Sequence, residues 1–102
     1  MRQGTTPTIK MILPDEINVT AVKEAVLTIA QHGKEKIKIS LAGMKVGADD
    51  NSLSVTLLQG ETLALDKLCA AEIQLKIKIG TTVTASNIMY VPISEILNKE
   101  EI

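Results

Sequence analysis

His32 and Cys69 are the chain's one histidine and one cysteine. With the acidic pairs Asp15-Glu16, Asp49-Asp50 and Glu100-Glu101 they are the first places to look for chemistry. A cysteine nucleophile needs a base beside it and a third group that orients the base. Cys69 sits in the apolar run Leu68-Cys69-Ala70-Ala71 and His32 is remote in sequence, so the residues favour a small hydrophobe, buried or half-buried. His32 precedes Gly33 and reads as a solvated turn residue. A single histidine and a single cysteine cannot build a multi-histidine or cysteine-rich metal site within one chain. Asp49-Asp50-Asn51 lacks the Asp-x-Asp-x-Asp-Gly spacing and the distal glutamate of a calcium loop, and a plain turn is the better reading. Neither a G-x-G-x-x-G loop nor a Walker phosphate loop occurs. The remaining acid pairs fall in loops or in the tail. The expectation is therefore no catalytic residue, no metal, no cofactor and no small-molecule substrate.

Side chains that recognise partners by stacking are missing too. Of 102 residues 45% are hydrophobic and 23% charged, but aromatics are 1%, Tyr90 alone. Sugar-binding and single-strand nucleic-acid modules rely on aromatic platforms, which weakens a carbohydrate-binding reading and argues against a nucleic-acid partner. A net charge of -1 argues the same way and against an anionic membrane surface. The alternating lysines Lys36, Lys38, Lys76 and Lys78 read as a solvated sheet face that also guards strand edges. No apolar run approaches the roughly 20 residues of a membrane helix. Residues 1–8 are polar, unlike a signal peptide, so the chain reads as made in a cytoplasm, and the sequon Asn18-Val19-Thr20 reads as chance.

The elements that must position any site alternate at period two, the pattern of strands with one face in a core. Thr8 to Leu13, Lys36 to Leu41, Leu53 to Leu57 and Ile73 to Ile79 all follow it. Glu24 to Gln31 has helical propensity, but His32-Gly33 and a strong strand follow directly, which favours a hairpin strand. Val83 to Val91 is the last candidate strand, ended by Pro92. Gln59 to Cys69 reads as a helical turn or corner crossing between sheets. In the tail, Ile93, Ile96 and Leu97 at i, i+3 and i+4 predict a short helix within 93–102, packing on its own sandwich or on another subunit. Size and spacing thus predict one domain over 1–102: an all-β, antiparallel, immunoglobulin-like sandwich of six to seven short strands, with a polar N-terminal arm over 1–7. Its core must be aliphatic.

Several segments together resemble a family of small proteins encoded by phages and prophages of Firmicutes, especially gut clostridia. They are Arg2-Gln3-Gly4-Thr5-Thr6-Pro7-Thr8, Ala30-Gln31, Leu57-Leu58-Gln59-Gly60-Glu61-Thr62-Leu63, Glu72 to Ile77, Ala85-Ser86-Asn87-Ile88 and Ile96-Leu97 to Ile102. More loosely, the layout is similar to the immunoglobulin-like N-terminal domains of phage upper-baseplate proteins. Family members tend to carry phenylalanine where Asp15 and Leu65 stand here, and tyrosine where Ile29 stands. The resemblance implies a phage setting and no catalytic residue to carry over.

Together these readings predict a non-enzymatic structural or assembly module of a phage head, neck, tail or baseplate. It would act through protein–protein contacts, as a homo-oligomer or with other virion proteins. Edge-strand pairing and apolar docking would run through Thr5, Thr6, Pro7, Ile9 and Met11 and through Ile93, Ile96 and Leu97. The alternatives are a small phage-encoded inhibitor that binds a host or defence protein, and a carbohydrate-binding sandwich.

Overall fold

The alternating segments do form strands. A computed structural model describes residues 1–102. It contains β1 (Thr8–Ile12), β2 (Glu24–Gln31), β3 (Lys34–Ser40), β4 (Lys45–Gly47), β5 (Ser52–Thr56), the helix α1 (Gln59–Leu63), β6 (Ala71–Ile79), β7 (Thr82–Ala85) and β8 (Met89–Val91). All strand pairs within the sheets are antiparallel. One sheet has the order β1-β5-β4; the other runs β3-β2-β6-β7, with β8 also paired to β6. The protein is an all-β sandwich. No helix is long and apolar enough to cross a membrane.

Strand-forming context overrides helical propensity in β2. His32 and Gly33, at φ 54° and 72°, form the two-residue turn of the β2–β3 hairpin, where left-handed residues match strand twist. On β2 the residues Ala25, Leu27, Ile29 and Gln31 are buried, and on β6 Ala71, Ile73, Leu75 and Ile77 are buried. These inward faces meet Leu53 and Val55 of β5 in one core of fifteen buried aliphatic residues. Fully burying one such side chain contributes about 1.5–3 kcal/mol.

Eight strands replace the expected six or seven because the segment from Val83 to Val91 divides. Ser86 donates its N–H to the Leu75 carbonyl at 2.8 Å, and its Oγ accepts from the Leu75 N–H at 3.0 Å. The serine thus caps the middle of β6, with β7 paired above it and β8 below.

The expected C-terminal helix is absent: residues 93–102 hold no helical turn. Ile93 is drawn into the core, and Ser94 forms a parallel bridge with Arg2. The Gln3 N–H donates to Ser94 O at 2.9 Å, the Ser94 N–H to Met1 O at 2.7 Å, and the Arg2 guanidinium to Glu95 O at 2.6 Å. These pairings extend the backbone, and a ten-residue helix too short to be stable alone cannot compete. They also pin the N-terminal arm, whose Gln3 is buried and whose Thr5 carbonyl accepts from the Thr62 hydroxyl at 2.8 Å.

Counting β7 and β8 as one interrupted edge, the larger sheet is four strands wide and its partner three. Met89 pairs with Ile73 and Thr84 with Ile77, so both face inward, yet both are exposed. Nothing in the smaller sheet lies over them.

Candidate functional site

The difference in width leaves an apolar cleft of about 440 Å³ where the two sheets part. Ile9, Met11 and Leu13 form one wall, and Ile73, Leu75 and Ile77 form the other together with Leu27, the neighbour of Leu75 on β2. Ile17 and Pro14 close one end, and Thr84, Ser86 and Asn87 supply a neutral polar rim beside Met89. The alternation of β1 aims Ile9 and Met11 inward and leaves Thr8, Lys10 and Ile12 exposed. Ile12 is 70% exposed and Met89 57%, so the cleft mouth carries uncovered apolar surface.

The end of the cleft is set by Asn51. Its side-chain amide donates to the carbonyls of Leu13, Pro14 and Ile17, at 3.3, 3.1 and 2.7 Å, and its Oδ1 accepts from the Val19 N–H at 2.8 Å. One side chain therefore holds the connection that carries Pro14 and Ile17. Lys10, the only charged residue of the lining, is ion-paired to Asp50. That lysine, with the Ser52 hydroxyl, holds the Asp50 carboxyl below its ordinary range.

β1 pairs with β5 on one side only. The Leu13 N–H donates to Asn51 O and the Leu57 N–H to Pro7 O, which marks 7, 9, 11 and 13 as the residues whose polar groups turn toward β5. In an antiparallel ladder the alternate residues turn the other way. The N–H and C=O groups of Thr8, Lys10 and Ile12 thus line a free edge, directly above the cleft.

The edges at the far ends of the two sheets, β3 and β4, are guarded. β3 carries Lys34, Glu35, Lys36 and Lys38, and β4 is three residues long. Charge and shortness both discourage strand pairing.

The residues expected to make contacts separate in the structure. Ile9 and Met11 line the cleft. Pro7 precedes it, its carbonyl taken by Leu57, and Thr5 is turned back on Arg2 through a 2.7 Å bond from its hydroxyl. Thr6 lies with Gln59, Gly60 and Glu101 around a shallow hollow elsewhere. Ile93 belongs to the protein's own core, Ile96 packs near Gly4 and Leu63, and Leu97 is exposed on its own. The sequence alone does not single out Ile73, Leu75, Ile77 and Met89, which also line the cleft. Their inward alternation is legible, but which sheet edge lacks a cover is not written in any local pattern.

Cys69 and His32, remote in sequence, are neighbours in the fold. Cys69 is half-buried, and its Sγ lies 3.3 Å from His32 Nε2. Asp66 Oδ2 lies 3.2 Å from the same nitrogen. Buried Gln31 brings them together. Its Nε2 donates to Asp66 O at 2.7 Å and Cys69 O at 3.0 Å, and its Oε1 accepts from the Asp66 N–H at 2.7 Å. The Leu68 N–H, and then His32, hold the Asp66 carboxyl below its ordinary range. In a nucleophile triad the acid orients the imidazole through the nitrogen opposite the nucleophile. Here carboxylate and sulfur meet one nitrogen, so the relay geometry is not formed. No group of three or more His, Cys, Asp or Glu side chains is arranged to hold a metal ion.

No family model matches the chain, and no curated protein matches it.

Proposed function

We propose that the chain is a non-enzymatic assembly module that works by protein–protein contact at the β1 cleft. The observation that carries this reading is the coincidence of an unpaired strand edge with an uncovered apolar cleft of about 440 Å³. Edge and cleft offer a partner both of the things strand addition uses, main-chain hydrogen bonds and pockets for alternate side chains. An apolar surface left open in this way marks an interaction site, and the one charged residue of the lining, Lys10, is already paired with Asp50. The phage setting rests on the resemblance of the segments from Arg2 to Thr8, Leu57 to Leu63 and Ile96 to Ile102, and within it the module belongs to the head, neck, tail or baseplate.

Mass spectrometry of purified particles from the bacterium that carries the gene tests the reading. The expected result is this chain at the copy number of a structural component. Its absence from particles, together with one stoichiometric host partner in pull-downs, replaces the reading with that of an inhibitor.

A further inference from the structure

We infer that the β1 edge is completed by a single extended segment of another polypeptide, uncharged and apolar at alternate positions, which enters as the missing fourth strand of the smaller sheet. This deepens the assembly reading and rests on it: it names the chemistry of the partner at the same cleft.

Three observations select this occupant. The first is width. The larger sheet spans four strand positions and the smaller three, so the notch beside β1 is one strand wide. The exposed β7 and β8 border the same cleft from the larger sheet, through Thr84, Ala85 and Met89. A whole second sandwich approaching β1 edge-on would meet that ledge, whereas one strand fits above it.

The second is charge. The lining is apolar with a neutral rim of Thr84, Ser86 and Asn87, and its one cation, Lys10, already holds Asp50. A charge on an inward position of the incoming strand would lose water and gain no partner. Neutral lining therefore matches a neutral segment, with its apolar side chains toward Ile9, Met11 and Met89 and its main chain bonded to Thr8, Lys10 and Ile12.

The third is uncovered apolar surface. Ile12 on β1 and Met89 on β8, both in the cleft lining, are 70% and 57% exposed. A strand laid along β1 would shield them from water.

Selection of a displayed library of short random peptides on the purified full chain tests the inference. The expected winners alternate apolar with small polar residues and carry no charge at the apolar positions. On binding the best of them, the amides of Thr8, Lys10 and Ile12 should exchange with solvent at least roughly tenfold more slowly. Lys10→Pro removes an outward N–H that takes no part in the β5 ladder and should weaken binding roughly tenfold or more. Lys10→Ala, which keeps that N–H and loses only the ion pair, should not. Met89→Glu, at an exposed position, provides the same loss if the proline variant misfolds.

Winners with helical spacing or charged anchors, binding without protection of the three amides, or no winners at all would overturn the strand addition. So would a dimer of the free chain cross-linked through β1, which makes a second copy the occupant. The assembly reading is tested apart from this: chain found in particles but no peptide bound removes only the strand addition, while absence from particles removes the assembly reading whatever the peptides do.

Discussion

Gln31 and Asp66 bond reciprocally: the glutamine's Nε2 donates to the Asp66 carbonyl and its Oε1 accepts the Asp66 N–H, each at 2.7 Å. Gln31 is fully buried, and the same Nε2 also reaches Cys69 O. Removing the carboxamide leaves two carbonyls and one N–H, all part-buried, without their partner. Gln31→Ala should therefore cost about 3 kcal/mol in urea unfolding, since each orphaned buried group costs roughly 1–3 kcal/mol. It should also free Cys69 to react faster with a thiol reagent. Unchanged stability would show that the loop from Asp66 to Cys69 is held by something else.

Asn51 makes a second such test, because its backbone and its side chain do separate jobs. Its φ is 55°, and its side chain serves four backbone groups around the connection after β1. Asn51→Gly tolerates the φ and loses the bonds; Asn51→Ala loses both. Both variants should unfold at lower denaturant than the wild type. Alanine should be the worse by about 1 kcal/mol, the penalty for a left-handed Cβ.

The contrast between closed core and open cleft is measurable. Ile29 is 0% exposed and lies outside the cleft lining. Ile29→Ala should destabilise by about 2–5 kcal/mol in thermal or urea unfolding. Met11 is only half-buried on the cleft wall, so Met11→Ala should cost less than about half as much. A full core penalty at Met11 would mean that the cleft is closed in solution.

Acid should weaken the fold. Asp50, Asp66 and Glu95 all titrate below their ordinary values of 3.8, 3.8 and 4.5, held down first by Lys10, the Leu68 N–H and Lys67 respectively. A carboxylate with a depressed folded-state pKa contributes stability that is present above its unfolded value and lost as pH falls through the folded one. The melting temperature should therefore drop as pH falls below about 4. Asp66→Asn, which can still accept from Leu68 but cannot titrate, should lessen that acid sensitivity.

Much of this architecture is legible before folding. The strands from Ile73 to Ile79 and from Leu53 to Leu57 announce themselves because each has one face in oil and one in water, and alternation records that directly. The corner at Gln59 to Leu63 is legible as the crossing from β5 in one sheet to β6 in the other. The tail misleads because Ile93, Ile96 and Leu97 have helical spacing for unrelated reasons: one fills the core, one packs near Gly4, and one faces water. The proximity of Cys69 to His32 is illegible because it depends on Gln31, a buried polar residue whose partners are backbone atoms 35 and 38 residues away. Likewise no local pattern tells that β6 is flanked by strands the smaller sheet does not reach.

The charges along β3 have a further effect. With Lys34, Glu35, Lys36 and Lys38 on that strand and only three residues in β4, the edges without such guards, β1 and β7–β8, both border the one cleft. Repeating filaments need two complementary sticky sides per unit, each seeding the next. A body with a single receptive side is monovalent: it decorates or terminates whatever it joins, and its concentration can rise without seeding fibres.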